Sequence, residues 1–327
     1  MELRFPMKLS SIVLSFSLAA ATAAAGVSPA LLNLVMPDAT VVSGMNVAQS
    51  VTSPFGQYIL AQMQISDAGF LKFMASTGFD PRKDLLEVLA ATPATASSTT
   101  HSGLILGRGV FQPAMIIGTA SEEGASVTNY HGFTLIGPPA NQNGEQIALT
   151  FLDGSTVAIG DPAAVQAVID RKVANATFTG SLASSAIAVS ANNSAWFATN
   201  ASLADFMGSK QAGNLGGVAQ SGLMQSITQA SGGVLFGSAG VTVSADAVTA
   251  SAQNAQSLVD VLKFFVSMIA GNANTPSNVS SIASSAQFSV NGTTAHISLV
   301  MAESQIEQLL MPQGNKARAK KLSPGAQ

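Results

Sequence analysis

The chain has 327 residues, 47% hydrophobic and 9% charged, with 14 Lys and Arg against 17 Asp and Glu, three His and no Cys. An average soluble domain is about a quarter charged, so Ser, Thr, Asn, Gln and Gly must keep this surface wet. So apolar a composition excludes a disordered chain, and a formal net charge of −3 supplies no field for phosphates, so nucleic acid is not an expected partner.

Residues 1–25 read as a signal peptide. Arg4 and Lys8 give a positive start, residues 9–21 form an uncharged apolar and Ser-rich run, and Ala23-Ala24-Ala25 before Gly26 fits the small-residue rule for cleavage. Met7-Lys8 offers a second, more compact start. The apolar run is shorter than the roughly 20 residues of a membrane span, which favours cleavage over anchoring. An exported product, periplasmic or extracellular, is therefore expected, with no transmembrane segment after cleavage. Without Cys, disulfides, thiolate nucleophiles, Cys-based metal sites and a Cys-linked lipid anchor are excluded. The five Asn-x-Ser/Thr sequons, at Asn175, Asn192, Asn200, Asn278 and Asn291, are read as coincidence in a chain this rich in Ser and Thr.

Past the signal, residues 39–47 read as a strand. Three helix starts share one pattern, a capping side chain followed by Pro at the first helical position. Ser53-Pro54 precedes Phe55, Tyr58 and Ile59; Asp80-Pro81 precedes Leu85, Val88 and Leu89; Asp161-Pro162 precedes Val165, Val168 and Ile169. Each set has the i, i+3, i+4 spacing of one buried stripe. Residues 103–108 and 114–119 read as a pair of strands and 131–136 as another. Asp153-Gly154 punctuates a hairpin of 147–152 with 156–159.

In the second half, a strand at 195–199 leads to short helices around Leu203 and Leu223 and to strands near Val234 and Val248. A helix at 254–269 carries Leu258, Val261, Leu262, Phe265 and Ile269 on one face. Asn291-Gly292 joins strands 286–290 and 294–300, and a helix at 304–310 closes the fold. Residues 92–100 and 271–285 read as Ser/Thr/Ala/Asn-rich loops.

The expected class is α+β, two divergent repeats of antiparallel sheet covered by helices on one side. The first repeat is assigned to 26–175 and the second to 176–310. A basic disordered tail at 311–327 holds Lys316, Arg318, Lys320 and Lys321.

The stretches PDATVVSGMNV at 37–47, SPFGQYIL at 53–60, TGFDPRKDLLEVL at 77–89, GRGVF at 107–111, YHGFTLI at 130–136 and FLDGSTVAIGDPAAVQAVID at 151–170 resemble a group of exported bacterial proteins of unknown function. The resemblance implies an envelope location and a two-part α+β fold. It carries no active site to this chain.

Enzyme signatures are missing: there is no Gly-x-Ser-x-Gly elbow, no Ser three positions before a Lys and no His-Glu-x-x-His. Gly107-Arg108-Gly109 lacks the third Gly of a dinucleotide fingerprint and opens no helix. His101, His131 and His296 are scattered, so they read as surface or hydrogen-bonded histidines, and no cofactor or metal is implied. Glu122-Glu123 reads as a solvated turn, and Arg108 as the ion-pair partner of Asp84 or Glu87. The positive hint is apolar: Phe55, Tyr58, Met63, Phe70, Phe73, Met74 and Phe79 concentrate bulky, adaptable side chains in one helical stretch. They form either ordinary core or the lining of a site for an apolar ligand. Three functions stay open, in order: a non-catalytic binding or scaffolding module for an envelope protein, a carrier or chaperone for an apolar small molecule such as a lipid, and a hydrolase without a local motif.

Overall fold

The structure, a computed structural model, describes residues 26–57, 68–93, 103–138, 147–201, 222–238, 240–273, 275–302 and 304–305. Helix α1 (Pro29–Leu32) leads to β1 (Ala39–Asn46) and the single turn α2 (Val47–Ser50). Helix α3 (Ala68–Thr77) and the one-turn α4 (Pro81–Asp84) precede β2 (Leu85–Pro93), β3 (Leu104–Gly109) and α5 (Pro113–Glu122). Four strands follow: β4 (Ser126–Tyr130), β5 (Phe133–Gly137), β6 (Ala148–Asp153) and β7 (Thr156–Gly160). Then come α6 (Pro162–Val173), α7 (Ser181–Ser190), β8 (Ala195–Thr199), α8 (Gly222–Gln225), β9 (Ile227–Phe236) and β10 (Gly240–Thr249). Helices α9 (Ala252–Gly271) and α10 (Ser277–Ser284) lead to the hairpin of β11 (Gln287–Asn291) and β12 (Thr294–Ala302).

The twelve strands among the described residues join one antiparallel sheet, in the order β11-β12-β10-β9-β8-β1-β2-β3-β7-β6-β5-β4. The two halves meet where β1 pairs with β8, a join that depends on Gly44. That residue lies opposite Trp196, and a Cβ on it would fall 2.6 Å from the indole Cζ2. Both halves run through three strands, a helix and a hairpin whose second strand returns beside the third, β7 beside β3 and β12 beside β10. That order is consistent with a two-part organisation, the hairpin of β4 and β5 being additional to the first half.

One face of the sheet carries Val42, Leu89, Leu106 and Ala158, packed with Leu31 and Val35 around α1, Ile169 of α6 and Leu182 and Ala186 of α7. Burying these apolar side chains is the main driving force of the fold, about 1.5–3 kcal/mol for each large one. Beyond the one-sided cover expected from the sequence, the opposite face is covered as well. Cross-strand register places Thr199, Ala230, Ala247, Ala295 and Val290 in one row on that face, where Leu258 and Val259 of α9 pack. The same face at the other end of the sheet lies beneath α3 and α5. Among the described residues no helix is long and apolar enough to cross a membrane.

The first described residues are tied to the core. Val27 N–H donates to Ser190 Oγ at 2.9 Å, and Ser28 N–H donates to Glu87 Oε1 at 2.8 Å. Arg108 Nε donates to the other oxygen of Glu87 at 3.0 Å, the ion pair expected of Arg108. Glu87 is 6% exposed, so a charged and a neutral donor together satisfy a carboxylate that would otherwise be costly to bury.

Several elements differ from the sequence reading. Asp80 does cap a helix, accepting from Arg82 N–H, but it ends after one turn and residues 85–93 form β2. Strand β2 lies between β1 and β3 with side chains packed on both faces, so its near-continuous apolar run mimics a helical stripe. Residues 114–119 belong to helix α5, not a strand: Pro113 opens it, and Gly124, at φ +90°, closes it with Ala125 N–H donating to Ala120 O. The strand expected at 131–136 is the second arm of a hairpin of β4 and β5, turning at His131 and Gly132, both at positive φ. The stretch 271–285 contains helix α10. Ser53 caps a helical turn through Gly56 N–H, and Asp161 caps α6 through Ala164 N–H at 2.9 Å. Residues 1–25 and 311–327, His101, and the helix expected near Leu203 lie outside the described residues, as does most of the helix expected at 304–310.

Candidate functional site

Between the sheet and the pair α3 and α5 lies a cavity of about 260 Å³ with no polar atom exposed on its wall. Its floor consists of two cross-strand rows. Val88 of β2, Gly107 of β3, Val157 of β7 and Phe151 of β6 make one, set by the register of the three strand pairs. Ile105, Ile159 and Leu149 make the second, one residue pair further along. Strand alternation explains why these residues are together: Leu106 and Arg108 point to the other face, so Ile105 and Gly107 must point to this one.

Phe73 of α3, Phe79, Phe111 and Ile116 of α5 complete the wall. The rings form a chain from the rim to the floor. Phe73 meets Phe79 edge-on at 6.4 Å, Phe79 meets Phe111 at 5.2 Å, and Phe111 meets Phe151 at 5.5 Å. Such pairs contribute about 0.5–1.5 kcal/mol beyond their burial. Phe73 is 38% and Ile105 47% exposed, which places both at the mouth. On the outside, Lys72 of α3 pairs with Glu123, the C-cap of α5, at 3.0 Å.

The two glycines of GRGVF have separate structural reasons. At Gly109 a Cβ would fall 2.4 Å from Asp84 O, where the start of β2 crowds the strand. At Gly107 it would meet Val157 Cγ1 at 2.9 Å, Leu85 Cδ1 at 3.6 Å and Phe111 Cζ at 3.9 Å, all of them cavity residues. A side chain at 107 would therefore have to push Val157, one of the wall residues, aside.

Of the seven residues singled out from the sequence, Phe73 and Phe79 line this cavity. Phe55 stacks against Phe236 at 5.2 Å, in another part of the molecule. Met74 is half-buried in α3 and is not part of the wall. Phe70 lies in α3, its side chain outside the described residues, as are Tyr58 and Met63. Phe111 and Phe151 lie outside that group of seven; GRGVF and the Asp-Gly hairpin each deliver one of these rings to the wall.

Polar groups gather elsewhere. His296 Nδ1 lies 2.8 Å from Asp246 Oδ1 across β12 and β10, on the face opposite α9. His131 Nε2 is 3.6 Å from Asp170, which also accepts from the Tyr130 hydroxyl; that hydrogen bond raises the tyrosine pKa. Arg82 holds the Asp80 carboxyl below its usual range. For Asp153 burial acts upward, but hydrogen bonds from Ser155, Thr156 and Lys172 outweigh it and the pKa is lowered. None of these groups reaches the cavity, whose wall offers apolar contact and no acid, base or nucleophile.

No family model matches the sequence, and no curated protein matches it. Among solved structures the chain is similar to TP0453. Crystal form IV aligns at a TM-score of 0.50 and 12% identity over 88% of this chain and 98% of that one. Form I gives 0.49 at 13% identity over 88% and 97%, and form III gives 0.49 at 14% over 88% and 98%. At this identity the likeness concerns the fold alone.

Proposed function

We propose that this is an exported, non-catalytic binding protein of the bacterial cell envelope, and that its ligand is a small apolar molecule held between α3, α5 and the sheet. The supporting observation is the cavity itself. A dry cavity of about 150 Å³ suffices to bind benzene, and sites for drug-sized ligands begin near 300 Å³. At about 260 Å³ with a wholly apolar wall, this one suits a compact hydrophobic guest. The signal-like residues 1–25 supply the reason for the location. Native mass spectrometry of the chain purified gently from its own envelope tests the reading: a retained apolar small molecule supports it, and a protein that emerges bare and takes up no apolar probe on titration overturns it.

A second reading, a scaffold for another envelope protein, draws on α9. Phe264, Met268 and Ile269 there are 65%, 52% and 41% exposed, a clustering that in a soluble domain marks a contact surface. Recovery of a defined protein complex with an empty cavity favours this alternative.

A further inference from the structure

We propose that β11, at one end of the sheet, pairs antiparallel with β11 of a second copy of this chain, centred on Ser289, so that the two sheets become one. This goes beyond the apolar-ligand reading and does not rest on it.

The register shows which backbone groups are available for the pairing. Gly292, at φ +56°, and Thr293 form a two-residue loop between the paired Asn291 and Thr294. Residues that flank such a loop exchange both backbone hydrogen bonds, and bonded pairs then alternate along the strands. Gln287, Ser289 and Asn291 therefore direct their N–H and C=O groups to β12, while Phe288 and Val290 direct theirs out of the sheet. Among the described residues no strand pairs with β11 on that side.

Exposed edges are usually blunted by a charge, a Pro or a bulge. Strand β11 has none of these: its sequence is QFSVN, and it pairs with β12 without a register shift. Across residues 261–302 the one Asp, Glu, Lys or Arg is Lys263. The other edge, β4, has Glu122 and Glu123 shortly before it, and His131 beside Asp170 at its far end. Two copies meeting there would bring like charges together, which disfavours pairing.

Strand β11 is also complementary to itself. About a two-fold axis at Ser289, Phe288 of each copy forms a hydrogen-bonded pair with Val290 of the other, giving four intermolecular backbone hydrogen bonds. These two side chains are half-buried at the margin of the cluster around Leu258 and Val259, and each would cover the other's open flank. On the opposite face Ser289 meets Ser289 and Gln287 meets Asn291, all exposed and uncharged. Another protein would have to supply a matching edge, whereas a second copy has it by symmetry. The contact is short, so the dimer should be weak and concentration-dependent.

The chain has no Cys, so introduced thiols report the contact. The facing residues Ser289 and Ser289, and likewise Gln287 and Asn291, are non-hydrogen-bonded pairs with Cα atoms about 4.5 Å apart, within the range of a disulfide. Under mild oxidation the full chain carrying Ser289→Cys should become a covalent dimer, while Thr128→Cys, at the centre of β4, stays monomeric. Gln287→Cys and Asn291→Cys should link when mixed and not alone, which fixes the register. Ser289→Lys should weaken self-association in sedimentation equilibrium by about fivefold or more, since like charges then lie opposite each other. Failure of Ser289→Cys to cross-link, equal cross-linking by Thr128→Cys, or a wild-type chain that stays monomeric at millimolar concentration would overturn the proposal; the last of these needs no variant to fold.

Discussion

Replacing Gly44 by Ala should strain the join between the two halves of the sheet, and the single Trp of the chain reports on it directly. The added Cβ would lie 2.6 Å from Trp196 Cζ2 and 2.9 Å from Cε2, whereas carbon atoms pack best at about 3.5–4.0 Å. The indole must therefore retreat by about 1 Å, and Trp196, 7% exposed inside the main core, has little room to do so. Overpacking of this kind costs about 1–3 kcal/mol, while Ala regains about 0.5–1 kcal/mol over Gly in a strand. The net loss should therefore be at most about 2.5 kcal/mol. Urea denaturation followed by circular dichroism measures it, and the native tryptophan emission should shift as the ring is displaced. In a Trp196→Leu background the penalty should shrink by most of its value, because only neighbouring residues couple this strongly. An equally stable Gly44→Ala protein with unchanged emission would refute the packing of β1 against β8 described above.

Three further outcomes follow from the polar contacts. Glu87→Ala, which deprives Ser28 N–H and Arg108 of their acceptor, should cost about 2–3 kcal/mol in urea unfolding and speed hydrogen exchange at the Ser28 amide, with Glu87→Gln recovering part of the loss. Asp161→Ala removes the α6 cap and should destabilise by about 1 kcal/mol, with no effect if the helix starts elsewhere. Asp80 and Asp153 have lowered pKa values, so their contribution is present above the unfolded carboxylate value and is lost as the pH falls through the folded one. Stability should thus decline below about pH 4, and the gap between wild type and Asp153→Asn should close there; a constant gap down to pH 2 would contradict the assigned hydrogen bonds.

Local chemistry was legible where one side chain determines the backbone. Asp161 before Pro162, Asp153-Gly154 and Asn291-Gly292 announced a helix start and two hairpins, and the structure has all three. It was misleading where tertiary position overrides pattern. Residues 85–89 have helical spacing yet form an interior strand, since its half-buried second face, where Val88 lines the cavity, is apolar as well and removes the polar alternation that marks a half-exposed strand. The run 114–119 is rich in strand-favouring residues, but Pro113 and Gly124 bracket it as a helix.

The cavity was legible only in part, for a related reason. Phe73 and Phe79 stood out because they are near neighbours in a Phe- and Met-rich stretch. Phe111, Phe151 and Gly107 join them through pairings between β3, β7 and β6, and no local sequence signal specifies which strands become neighbours. Phe55, from the same stretch, turns instead to Phe236 of β9. Gly107 was visible within GRGVF, but its missing side chain acquires meaning only once Val157 and Phe111 are beside it.

The most direct test of the binding account is a methyl NMR titration of the Ile-, Leu- and Val-labelled full chain with decanoate. The account predicts saturable shifts confined to Leu85, Val88, Ile105, Ile116, Leu149, Val157 and Ile159, with intermolecular contacts from the decanoate chain to these methyls. Shifts centred on Val261, Leu262 and Ile269 of α9, or none that saturate, would contradict it.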